Sequence, residues 1–129
     1  MSDEDTFEKY LKLANKFTFI DTCFKVLNWK ENGSIIEIDN LGIKNKILYI
    51  FEGKKGKIDI HQLKERFILF QNNRTWILSK EIVPFYGFVK VFHYNLKRQK
   101  IIEVNIKGDI LETYAYKTIP EFIRILQKI

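Results

Sequence analysis

At 129 residues the chain fits one domain, residues 1–129, large enough to remove about two thirds of its extended surface from water. Its 46% hydrophobic and 15% aromatic content excludes a disordered chain, and no apolar run approaches the ~20 residues that a membrane-crossing helix needs. The net charge of +6 is unevenly placed: residues 41–100 hold thirteen Lys and Arg against four Asp and Glu, whereas residues 1–40 are net acidic and residues 101–129 are balanced. Such a middle segment attracts polyanions, acidic protein surfaces or acidic membranes.

The predicted elements begin with a helix over residues 3–16. Phe7, Tyr10, Leu11, Ala14 and Phe17 share one face, Glu8, Lys9, Lys12 and Lys16 take the other, and Ser2 or Asp3 can cap the start. Strands then alternate with turns for about a hundred residues. Asn32-Gly33 marks a hairpin between the stretch from Phe24 to Trp29 and the run from Ser34 to Asp39, because Asn-Gly accepts positive φ. Lys46–Phe51 and Lys57–Ile60 read as strands around the tip from Gly53 to Gly56. Phe67–Phe70 and Thr75–Leu78 read as strands around the tip from Gln71 to Arg74, and their unbroken apolar runs suit the sheet centre.

Three further strands, Tyr86–Tyr94, Ile101–Ile106 and Ile110–Tyr116, follow Pro84. Thr118-Ile119-Pro120-Glu121 matches a capping box with Pro in the first turn, and it opens a closing helix that runs to Lys128. Ile119, Phe122, Ile123, Leu126 and Ile129 form its apolar stripe, widened by Ile125. The expected fold is therefore α+β: an N-terminal helix, a curved antiparallel meander of seven to nine strands in one sheet, and a C-terminal helix packed on it.

Candidate chemistry is sparse. His61, His93 and Cys23 offer no close-spaced pair, so no metal site and no cofactor is expected. His93, between Phe92 and Tyr94, reads as a hydrogen-bonded strand histidine. Cys23, among Ile20, Phe24 and Val26, reads as a small buried hydrophobe rather than a nucleophile served by His61 or His93 and oriented by Asp21 or Asp59. Gly53-Lys54-Lys55-Gly56-Lys57 lacks the spacer and helix start of a phosphate loop. The carboxylates are dispersed, so a hydrolase has no positive support, and the reading is non-enzymatic.

The candidate binding residues are the basic tips: Lys54, Lys55 and Lys57 on one, Arg74 on a second, and Lys97, Arg98 and Lys100 on a third. If alternate tips of the meander share an edge, they form a basic face for a protein partner with an acidic surface. Two alternatives use the same tips. Arg74 before Trp76, Lys25 and Lys30 around Trp29, and Lys90 among Phe88, Phe92 and Tyr94 are the aromatic and basic pairs that single-stranded nucleic acid needs. A curved sheet closed by a C-terminal helix is similar in layout to pleckstrin-homology-like domains, which implies an acidic membrane surface as partner. The closing strands and helix, Ile101 to Ile129, resemble the ending of small bacterial immunity proteins of the SMI1/KNR4-like group. That resemblance covers about a quarter of the chain, lacks the group's N-terminal signature and implies an inhibitor of a partner toxin or enzyme. With a single cysteine and an acidic opening unlike a secretory signal, the cytoplasm is the expected location.

Overall fold

The computed structural model describes residues 2–28, 34–54, 56–69, 75–78, 81–84 and 88–129. Helix α1 spans Asp3–Ala14; Ser2 caps it by accepting the Asp5 N–H at 3.1 Å, and Asp3, Glu4 and Asp5 place negative charge on the positive end of its dipole. It stops two residues short of the expected end because Asn15 turns left-handed (φ 53°) and donates its N–H to Lys12. Strand β1 (Phe19–Asn28) pairs antiparallel with β2 (Ser34–Lys44), the pairing expected of an Asn-Gly hairpin, although the turn itself lies outside the described residues. Strand β3 (Ile47–Gly53) follows through Asn45 and Lys46, both at positive φ, as a two-residue type I′ turn requires.

No strand forms over Lys57–Ile60, and the strand expected at Phe67–Phe70 is instead helical as far as Leu69, in α2 (Ile60–Leu69), Phe70 lying outside the described residues. Asp59 accepts the Gln62 N–H at 3.1 Å, while Ile60, Leu63 and Phe67 recur at helical spacing and place Leu63 and Phe67 on the sheet. Among the described residues, strands β4 (Thr75–Leu78) and β5 (Glu81–Pro84) pair only with each other. Strand β6 (Val89–Asn95) then returns beside β3, and the two run parallel from Leu48↔Val89 to Gly53↔Tyr94. A parallel neighbour needs a crossover, and α2 lies in that crossover. Strands β7 (Lys100–Val104) and β8 (Ile110–Ala115) continue as antiparallel neighbours, and α3 (Ile119–Lys128) closes the chain on the expected Thr118 cap.

The expectation of a single antiparallel meander of seven to nine strands is thus corrected. The main sheet has six strands in the order β1-β2-β3-β6-β7-β8 and is mixed. Its parallel pair also departs from the all-antiparallel layout behind the pleckstrin-homology-like comparison. The α+β class, the N-terminal helix and the C-terminal helix on the sheet stand.

The two faces of β3 sort the core. Tyr49 and Phe51, with Phe92 and Tyr94 of β6 and Ile101 of β7, meet Phe7 and Leu11 of α1 and Phe122 and Leu126 of α3. Phe7 stacks on Tyr94 with centroids 4.1 Å apart, and Tyr116 stacks on Phe122 at 4.2 Å. Leu48 and Ile50, with Leu41, Ile43, Val91 and Val104, lie on the opposite face under Leu63 of α2. The sheet is consequently the middle layer between α1 with α3 on one side and α2 on the other. Gly42 permits the close approach of Phe17, whose ring would lie 2.8 Å from an added Cβ.

Candidate functional site

Parallel pairing puts the carboxyl ends of β3 and β6 at the same end of the sheet. The last rung, Lys54 N–H donated to the Tyr94 carbonyl at 3.0 Å, sets Lys54 beside the Asn95–Gln99 loop. Around that end lies a cleft of about 990 Å³ whose lining includes Lys54 and Lys97, Asp3 and Glu4 of α1, and the rings of Tyr10, Tyr94 and Tyr116. Lys54 also donates to Gln62 of α2, so it ties the sheet end to the helix on the far face.

Beneath the cleft is a buried polar chain. Tyr94 donates its hydroxyl to Asn40 Oδ1 at 2.8 Å, and Asn40 Nδ2 donates to Thr22 Oγ1 and to the Glu4 carbonyl, both at 3.0 Å. Burial of Tyr94 pushes its hydroxyl well above the ordinary tyrosine value, so it acts as a donor at every working pH. Tyr94→Phe would strand Asn40 Oδ1 in the core and is expected to cost about 1–3 kcal/mol, read as a lower denaturation midpoint at unchanged slope. An unchanged midpoint would show that the hydroxyl adds nothing.

On the α2 face the strand partners Glu52 and His93 lie next to each other in register. Glu52 is 4% exposed, accepts Arg66 Nε at 2.6 Å, and receives the Asp39 N–H at 3.4 Å. Arg66 also donates to Glu65 at 2.8 Å and to the Glu37 carbonyl at 3.1 Å. Asp39 accepts the Gly53 N–H at 2.8 Å. Burial drives the Glu52 carboxyl up to about 7 against the opposing pull of Arg66, with neighbouring Asp39 adding to the rise. Burial, with Lys54 adding to it, lowers His93 to about 4, so the imidazole is neutral at physiological pH. The expectation of a hydrogen-bonded His93 is corrected at one atom: Nδ1 has no partner among the described residues. These groups are sealed by α2, and the cleft opens on the other side of the sheet end.

The predicted binding residues are only partly brought together. Lys54 and Lys97 share the cleft; Arg98 and Lys100 are exposed in the same loop and at the head of β7, and Lys57 is exposed beyond β3. Lys55 and Arg74 lie outside the described residues. Cys23 corrects the expectation of a core residue: it is exposed on β1 with φ 53°, and slight burial followed by the nearby Glu37 raises its thiol above the ordinary value. That is the reverse of nucleophile activation. His61 is exposed on the first turn of α2. Of the aromatics weighed for base stacking, Phe92 and Tyr94 are core residues, whereas Phe88 is 68% exposed. Trp29, Lys30 and Tyr86 lie outside the described residues.

The sequence reading did not single out Glu52, Arg66 or Asn40. For Arg66 a signal existed, since Asp59 followed by Gln62 at the capping-box distance opens a helix that puts Leu63, Arg66 and Phe67 on one side. The class defined by this geometry is an α+β domain with a mixed sheet between helices, and with charged groups gathered at one sheet end. Comparison with protein-family models, with curated protein sequences and with solved structures finds no match. Among the described residues no helix is long and apolar enough to cross a membrane.

Proposed function

We propose that the chain is a non-enzymatic protein-binding module that meets an acidic partner at the Lys54–Lys100 end of the sheet. The observation that supports this reading is the parallel β3–β6 pair, which brings together two basic tips, at Lys54 and Lys97, that lie 43 positions apart in the sequence. Lys97, Arg98 and Lys100 are exposed and Lys54 is half-buried, so long-range attraction is available at the rim while Lys54 contributes nearer the floor. Asp3 and Glu4 also line the cleft, so its lining is of mixed charge, and an acidic surface is attracted chiefly by the exposed Lys97, Arg98 and Lys100 at the rim. An inhibitor of the immunity type, covering the active site of a toxin or enzyme, is the concrete form of this reading.

The test is capture from lysate on immobilised wild-type protein and on Lys97→Glu/Arg98→Glu, followed by rate measurements on the purified partner. Acidic proteins retained by the wild type alone are expected, with association slowed about tenfold or more between low and physiological salt. Equal retention by both proteins would sink the reading. Preferential binding of poly-dT or of acidic vesicles would replace it with the nucleic-acid or membrane alternative.

A further inference from the structure

The sheet has two edges, and they differ. In β1 the ladder to β2 is broken at Cys23, whose positive φ separates Thr22↔Asn40 from Phe24↔Ile38. At the other edge, among the described residues, β8 pairs with β7 alone and presents an open row of backbone donors and acceptors. Its bulge, at Glu103/Val104, confines the irregularity to the turn end and leaves Glu112–Ala115 in register. Of the devices that blunt natural edges, β8 carries a bulge at its turn end and one charge, Glu112, and it has no Lys or Pro. Instead it exposes Ile110 (58%) and Leu111 (54%).

The charge on this edge says what would cover it. Glu112 faces Glu103 directly across the strands, on the α1–α3 side, and neither makes an ion pair among the described residues. Like charges at directly opposed positions destabilise a sheet, so this pair costs stability in the free protein. Tyr114 stands on the same side, its hydroxyl pushed up by partial burial and then by Glu112 and Glu103. On the α2 side, Thr113 follows Ile102 and Ile110 follows Val104. An added strand would therefore meet Glu112 and Tyr114 on one side and the smaller Thr113 and Ala115, with Ile110 beyond them, on the other. A second copy is the wrong occupant, because antiparallel β8–β8 pairing would bring four glutamates onto one face.

We propose that β8 is a docking edge for an extended segment of another protein, with Lys or Arg at alternate positions facing Glu112 and small apolar residues between them. Backbone hydrogen bonds would supply affinity, and the Glu103–Glu112 pair would select the basic side chains. This inference rests on no part of the reading that places an acidic partner at the lysine end, so either can fail alone.

The test is titration of the full-length protein with a blocked seven-residue peptide alternating Lys and Val, followed by amide shifts in NMR spectra. Shifts confined to β7 and β8 are expected, together with loss of binding when alternate peptide nitrogens are methylated. Glu112→Lys, which relieves a repulsion and should fold at least as well as the wild type, is expected to weaken binding about tenfold. Equal binding by the methylated peptide, shifts centred on Asp3 and Glu4, or concentration-dependent β8 shifts without peptide would each overturn the proposal.

Discussion

Arg66→Ala is expected to lower folding stability by about 3–5 kcal/mol, as loss of one member of a buried pair does. The guanidinium binds three acceptors on three elements: Glu52 on β3, the Glu37 carbonyl on β2 and Glu65 on α2 itself. Its removal leaves Glu52 enclosed without a cation and detaches α2 at a position where its docking relies on few side chains, chiefly Leu63, Arg66 and Phe67. Because Glu52 can escape by holding its proton, the loss should be smaller at pH 6 than at pH 8.5. Arg66→Lys should recover only part, since an ammonium cannot reproduce the fork across Glu52 and Glu37. The double variant Arg66→Met/Glu52→Leu should recover most, because exchanging both charges for apolar groups removes the desolvation cost along with the pair. Denaturant midpoints at matched slope decide the matter, and an Arg66→Ala loss below about 1 kcal/mol would show that the pair does not anchor α2.

The second large effect concerns pH. In the fold Glu52 titrates near 7 instead of 4.5, so the folded state holds more protons than the unfolded chain between those values. Its contribution to stability is therefore greatest at low pH and is lost as pH rises through 7. His93 behaves oppositely: at about 4 instead of 6.5, the unfolded chain holds more protons, and its contribution grows as pH rises from 4 to 6.5. Each spans about 3 kcal/mol on the usual conversion of pKa shift to free energy. Two strand neighbours thus nearly cancel between pH 4.5 and 6.5. Removing either one should reveal the other. Glu52→Gln should gain stability relative to the wild type as pH rises across that window, and His93→Gln should lose it as pH rises from 4.5 to 7. Three parallel profiles would refute the assignment.

Both effects arise at a place that local sequence describes poorly. The terminal helices were legible because their apolar residues recur at helical spacing and because Ser2 and Thr118 are in cap positions. The β6–β7 and β7–β8 hairpins were legible from their turns: Asn105, for example, accepts the N–H groups of Lys107 and Asp109. Helix α2 was not. The run from Phe67 to Phe70 is as apolar and aromatic as a central strand, and strand and buried helix give the same signal over four residues. What decides for helix is the Asp59 cap together with a sheet face that accepts Leu63 and Arg66.

By itself the sequence determined the α+β class, the two terminal helices and the positions of most strands, because periodicity, caps and turn residues act over only a few residues. The uneven charge was also visible there, as a property of a segment. Only the tertiary structure decided that β3 and β6 run parallel, that Lys54 and Lys97 share a cleft, and that Glu52 and His93 lie side by side beneath α2, which supplies Arg66 to Glu52. Those facts depend on which strands become neighbours, and pairing between residues 41 apart, such as Leu48 and Val89, is set by burial of both sheet faces at once.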